Sequence, residues 1–229
     1  MSDAPSMLRP PSDVFMRALD AHHRWAQPGQ YPSAPGQEPS AELFAKGLDL
    51  SRTDFSAADL ADVWWIECVV DNSRFADAYM PGFRAYDTSW VACDFARAQL
   101  AKSEATRCNY AGASFRAAYL VRLELTECDL RETDLSGADL GFFTAAHSDI
   151  RDATIHDTVL DGVSFDDSHV AGMNLAGCSG TILGPGSKGH PRINVGTPED
   201  PEWLVADDAL AWLRSRGAPT LAFFGEPSP

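Results

Sequence analysis

A chain of 229 residues with a formal net charge of −15 is ill suited to gripping nucleic acid through its phosphates, a task that needs clustered Lys and Arg. No run approaches the roughly 20 apolar residues of a membrane span, and the opening MSDAPSMLRPPSD is polar and Pro-rich, unlike a signal peptide. These features exclude direct nucleic-acid binding and membrane insertion, favour a cytoplasmic location, and leave open a basic partner or a surface that imitates nucleic acid.

Residues 1–42 carry one predicted helix and a connection. In SDVFMRALDAHHRWA, Ser12 or Asp13 can cap the start, and Phe15, Leu19, His22 and Trp25 or Ala26 recur at helical spacing. His22 and His23 have no third ligand nearby, so no metal site is expected. The stretch 27–42 is rich in Pro, Gly and Ser and predicts an irregular connection.

Residues 43–180 follow a different rule. Large apolar residues stand at every fifth position from Leu50, Phe55, Leu60 and Trp65 through to Phe165, Val170 and Leu175, and Ala45 already obeys the count. Two residues before each stands a second series, mostly small, as at Thr53, Ala58, Cys68 and Ser73. A period of five matches neither a helix nor a flat strand, so it marks a repeat. Alternation points both positions into one interior, and the remaining two residues must turn a corner. Four such units make a square coil of 20 residues. Phe55, Phe75, Phe95 and Phe115 then fall on one wall, and Leu60, Met80, Leu100, Leu120, Leu140 and Leu160 on another. Where the small position is large, at Phe83 and Phe143, the centre shrinks to Ala85 and Ala145, which keeps the layer volume constant.

The motif in SAADL at 56–60, SGADL at 136–140, ECDL at 127–130 and ETDL at 132–135 resembles that of the pentapeptide-repeat family. The resemblance implies an all-β solenoid, a right-handed quadrilateral β-helix, here of about seven coils with short N- and C-terminal α-helices. The helix at 12–26 would then cover the open first coil, whose apolar side chains and strand edges would otherwise face water. Cys68, Cys93, Cys108, Cys128 and Cys178 hold inward small positions and are expected as reduced, buried thiols.

Outward positions change along the rod. Residues 84–122 hold Arg84, Arg97, Lys102, Arg107, Arg116 and Arg122, a basic waist, whereas 124–167 hold twelve acidic residues against two basic. Glu124, Glu127, Asp129, Asp134, Asp139, Asp149, Asp152 and Asp157 make this acidic surface. Tyr79, Pro81, Tyr119, Val121 and Phe142 are outward, uncharged and large enough to anchor a protein partner, and Trp64 with Ile66 form a smaller pair.

Residues 181–229 begin with a Gly-rich loop. PEDPEWLVADDALAWLRSRGA then predicts a helix starting at Asp200-Pro201, with Trp203, Leu204, Ala206, Leu210 and Leu213 on one face and Gly217 as the stop. With Phe223 and Phe224 it either closes the last coil or builds a dimer contact. Gyrase-directed members of the family dimerise through a C-terminal element, which favours the dimer.

No catalytic, cofactor or metal constellation stands out. His147, His156 and His169 fall on different walls by the 20-residue count, and no phosphate loop, CxxC, HExxH or GxSxG occurs. The expectation is a non-catalytic protein-binding protein. Its most specific form is a DNA mimic acting on a type II topoisomerase, DNA gyrase or topoisomerase IV, in antibiotic or toxin self-resistance; an adaptor in a larger assembly is the alternative.

Overall fold

The computed structural model describes residues 8–25, 43–183 and 191–224. The connection expected over 27–42 and the side chains of His22 and His23 lie outside what is described. The chain winds as a quadrilateral β-solenoid of about seven turns with two short helices. One wall is a parallel six-stranded sheet of β1 (Phe44–Lys46), β2 (Trp64–Ile66), β3 (Arg84–Tyr86), β4 (Glu104–Thr106), β5 (Glu124–Thr126) and β6 (Thr144–Ala146), in that order along the rod. Every pair is offset by one coil, as in Trp65↔Ala85 and Ala85↔Ala105. On the other three walls the same offset shows as single parallel bridges, for example Asp49↔Val69, Asp54↔Arg74 and Asp59↔Tyr79.

The corner is a left-handed residue. Every fifth residue from Gly47 to Gly177 has φ between +49° and +75°, and most are not glycine. An L-residue resists this conformation by about 1–2 kcal/mol, so each turn needs compensation. One source is the ladder: Arg52 N–H donates to Asp71 O at 2.9 Å and Ala57 N–H to Ala76 O at 2.9 Å. The other is the side chain just before the apolar centre. Asp54, Asp94, Asp134 and Asp139 each accept the backbone N–H two residues on, at 2.9–3.2 Å, which is why Asp and Asn recur there. At Gly172 the corner needs glycine for space as well, because a Cβ would collide with the Asp152 carboxylate of the coil before.

The interior is filled by stacked side chains. Phe55, Phe75, Phe95 and Phe115 form a ladder with ring centroids 4.9–5.0 Å apart and planes within 16° of parallel, close to the spacing of neighbouring strands. Trp65, Trp90 and Tyr110 pack beside it, Trp90 and Tyr110 stacking at 6.0 Å. Beyond Phe115 the same wall continues with buried Leu135, Ile155 and Leu175. Phe83 and Phe143 are buried over Ala85 and Ala145, as the volume argument requires.

Both ends are closed. At the first coil Arg9 adds a rung, its N–H donating to Arg52 O and its carbonyl accepting from Asp54 N–H, both at 2.8 Å. Helix α1 (Asp13–Trp25) follows, with Ser12 Oγ accepting from Phe15 N–H at 3.2 Å, and it buries Phe15 and Leu19. Phe15 meets Phe55 at 5.5 Å and so extends the ladder.

At the other end the 20-residue offset holds as far as Leu160↔Gly180 and slips by one residue at Val163↔Ile182. Strands β7 (Val159–Val163), β8 (Ser168–His169) and β9 (Ser179–Ile182) form the last walls. The chain then adds a partial extra rung: β10 (Arg192–Asn194) pairs with β8, and further along residues 216–217 accept from Leu175 and Gly177 N–H. The helix does not start at Asp200-Pro201. Trp203–Val205 form β11, antiparallel to β10, and α2 runs Ala206–Ser215. The open edge of β10 claims Trp203 and Leu204 as a strand, so Trp203 is not on the helix face. Leu210 and Leu213 are buried in the core, and Gly217, at φ 109°, stops the helix as the sequence indicates. The last strand, β12 (Ala222–Phe223), pairs with β9. The C-terminal segment therefore packs over the last coil through Leu210 and Leu213, while Trp203 and Phe224 stay exposed.

Candidate protein-binding surface

Since inward positions are filled, functional groups lie on four outer walls. On the acidic half, many carboxylates have structural work. Asp129 and Asp149 accept their own turn N–H and pair with Arg131 and Arg151 at 2.6 Å. Asp134 pairs with Arg116 at 2.7 Å, and Asp139 binds Gly141 N–H. Burial pushes the Asp149 carboxyl up, but the Arg151 guanidinium and N–H outweigh it and hold the group below the usual carboxylate range. Glu124, Glu127, Asp152 and Asp157 are exposed.

The waist is less positive than the sequence suggests. Arg97 forms a bidentate pair with Asp77, and Arg107 with Asp87, each one coil apart. Arg84 lies 3.9 Å from Glu104. These guanidiniums hold Asp77 and Asp87 below the usual carboxylate range. Lys102 and Arg122 differ: both are exposed, they stand one coil apart in one corner column, and among the described residues neither has an ion pair. Counting by 20 along the sequence would have singled them out.

The uncharged patch is real but uneven. Tyr79 and Tyr119 are 45% and 44% exposed, two rungs apart in a column whose middle member is Gln99. Pro81 and Val121 are half-buried beside them. Phe142 sits over Gly162 and meets Phe224 at 5.6 Å, so the C-terminal cap covers part of it. Trp64 belongs to a separate ladder with Phe44 at 5.3 Å and Tyr86 at 6.0 Å, and Arg84 lies over its ring.

Chemistry-bearing side chains are dispersed. His147 Nδ1 lies 3.8 Å from Asp167, which also pairs with Arg192, and His169 Nε2 lies 3.2 Å from Asn194 Nδ2. His156 borders a separate depression with Arg116, Ser136 and Asp157. No His, Cys, Asp and Glu cluster among the described residues could hold a metal. All five cysteines are free and buried, and desolvation pushes the Cys93 thiol up to about 12. An apolar cleft of about 360 Å³ lies between α1 and the first coil, lined by Phe15, Leu43, Phe44 and Leu48. Among the described residues no helix is long and apolar enough to cross a membrane.

Geometry defines the class first: a β-solenoid of five-residue units, with its charged groups and exposed aromatic rings on the outside. The family model for pentapeptide repeats matches in 8 copies over segments 93–131, 108–141 and 128–167. Residues 93–167 therefore carry the pentapeptide repeats of that family. No curated protein sequence matches it. Among solved structures, a trypsin-treated variant of QnrB1, a plasmid-mediated fluoroquinolone resistance protein, is 19% identical over 62% of this chain and 72% of that one, with a TM-score of 0.51. HetL, a pentapeptide-repeat protein involved in heterocyst differentiation regulation in the cyanobacterium Nostoc sp., is 19% identical over 62% and 78%, with a TM-score of 0.36. At 19% identity the likeness to the QnrB1 structure is one of fold.

Proposed function

We propose that this protein is a non-catalytic binding rod for another protein, and that its most specific role is to imitate duplex DNA toward a type II topoisomerase, DNA gyrase or topoisomerase IV. The observation that carries this reading is a filled interior combined with a net charge of −15, which leaves recognition to a narrow, convex, negative rod. Neutralisation of Arg84, Arg97, Arg107 and Arg116 by carboxylates supports it further, because the waist then interrupts the negative field less. A field of that sign steers a rod toward a groove built for phosphates, quickly and with strong salt dependence. The described role of QnrB1 in fluoroquinolone resistance supports the same direction.

The deciding measurement is gyrase supercoiling with and without a fluoroquinolone as the protein is titrated in. Restored or altered supercoiling at near-equimolar protein is expected, and no change at large excess removes the topoisomerase reading. The adaptor reading is favoured by the exposed Tyr79 and Tyr119, which charge imitation does not use. A homodimer through α2 would need the outer side of that helix, since Leu210 and Leu213 are buried; sedimentation equilibrium measures it directly. Cytoplasmic placement belongs to the same proposal and is tested by fractionation.

A further inference from the structure

We propose that the wall carrying Tyr79 and Tyr119 is a docking surface for an acidic polypeptide segment, one that presents carboxylates beside aromatic or proline side chains. The proposal rests on the protein-binding reading but not on its topoisomerase version, since it uses a different face and a partner of opposite charge.

Three features converge there. The first is apolar area: Tyr79 and Tyr119 stand in one column, with Pro81 and Val121 half-buried alongside. Neighbouring rungs are about 4.8 Å apart, so the two rings stand roughly 10 Å apart, with the exposed amide of Gln99 on the rung between them. Exposed Tyr rings offer large contact area at little entropic cost.

The second is the pair of cations at the adjoining corner. In two other corner columns a cation sits on a carboxylate, Arg97 on Asp77 and Arg107 on Asp87. Lys102 and Arg122 instead stand on each other, exposed and without an ion pair among the described residues. Like charges on adjacent rungs repel, so this arrangement does nothing for the fold. Carboxylates arriving from outside would relieve the repulsion and gain charge-assisted hydrogen bonds.

The third is the size of the positive island. Glu104 is engaged by Arg84, Asp139 binds its own turn, and Glu124 is exposed nearby on β5. Two free cations set in a molecule of charge −15 suit a short acidic segment. They do not suit a nucleic-acid strand, whose continuous phosphates would meet the surrounding carboxylates.

The probe is a random copolymer of Glu and Tyr, labelled and titrated by fluorescence anisotropy at low salt. A copolymer of Lys and Tyr and an oligothymidylate strand serve as comparators. The intact protein is expected to bind the Glu–Tyr copolymer and neither comparator at this wall. Lys102→Gln with Arg122→Gln should weaken binding about 10-fold, and Tyr79→Ala with Tyr119→Ala about 10–30-fold. Arg17→Glu, on α1, should leave it unchanged. All variants should keep the parent circular dichroism and melting temperature, because each replaced side chain is outward. Absence of binding overturns the proposal. So does binding insensitive to both double variants, or equal binding of oligothymidylate lost in the same variants. Supercoiling assays on the Lys102→Gln, Arg122→Gln protein report separately on the topoisomerase reading.

Discussion

The two halves of the rod share one backbone and differ in almost everything hung on it. From Phe55 to Phe115 the interior is aromatic, a Phe ladder with Trp65, Trp90 and Tyr110 packed against it. From Leu120 onward the same positions are mostly Leu and Ile. Outside, both halves tie Asp to its own turn N–H groups, as at Asp54 and Asp134, but the first pairs Arg97 and Arg107 with the Asp one coil before, while the second pairs Arg131 and Arg151 with the Asp two residues before. The ladder of coil-to-coil hydrogen bonds and the left-handed corners are common to both. Backbone geometry therefore sets the five-residue rule, and side-chain volume per layer is the quantity that the core has to conserve.

The largest effect should come from breaking the aromatic ladder. Phe95 stacks at 5.0 Å on Phe75 and at 4.9 Å on Phe115, so Phe95→Ala is expected to cost about 3–5 kcal/mol in urea unfolding. Ile155→Ala, three coils further along the same wall, removes fewer atoms and should cost about 2–4 kcal/mol. An equal or reversed order would mean that the ladder adds nothing beyond volume. Next comes the acidic half's cap. A Cβ on Gly217 would lie 2.8 Å from Ala176 Cα, and φ there is 109°, so Gly217→Ala should cost about 1–3 kcal/mol. Amide exchange should quicken at Leu175 and Gly177, which donate to residues 216 and 217, while the Phe ladder stays protected.

Tyr110→Phe works in the opposite direction. The hydroxyl is buried with no partner among the described residues, and burial pushes its pKa well above the ordinary tyrosine value. Removing it should stabilise the aromatic half by about 1–2 kcal/mol, with the Trp90 stack intact; a loss of stability would reveal a bridging water.

Acid separates the halves more gently. Asp77 and Asp87 are held low by Arg97 and Arg107, and Asp149 by Arg151 against its own burial. A carboxyl whose folded pKa is depressed contributes stability that is complete above its unfolded value, about 3.9. That contribution drains as pH falls through the folded value. The melting temperature should hold down to about pH 4 and decline below it. Asp166, raised by burial and by Asp167, opposes this, favouring the folded state as it protonates. A decline that begins near neutrality would contradict these assignments.

The scaffold was legible because inward residues are constrained by volume: the five-residue count, the 20-residue walls and the Phe83/Ala85 exchange all follow from it. The turn at α1 was legible from Ser12, Phe15 and Leu19. Trp203 was misplaced on a helix because helical spacing in 203–213 competes with an open strand edge, and that edge exists only once β10 has docked on β8. Charge was legible in number but not in pairing. Arg97 and Asp77 are 20 residues apart, and their bond follows from the coil rather than from local sequence. The same rule leaves Lys102 and Arg122 together, a juxtaposition that a tally of basic residues hides.

The smallest effect bears most directly on what the acidic half is for. Asp139 accepts Gly141 N–H at 3.2 Å and has no ion pair among the described residues. Asp139→Asn keeps the acceptor and removes the charge, so stability should stay within about 0.5 kcal/mol of the parent. Asp139→Ala removes both, and the left-handed corner at Phe142 loses its support at a cost of about 1 kcal/mol. The architectural role of the carboxylate therefore separates from its electrostatic one within a single position. Extending Asn to Asp152 and Asp157, and Gln to Glu127, strips charge from the same half at exposed corners. A folded rod that no longer alters supercoiling after these changes would show that negative charge is the working feature. An equally active one would return the acidic residues to the turns they build.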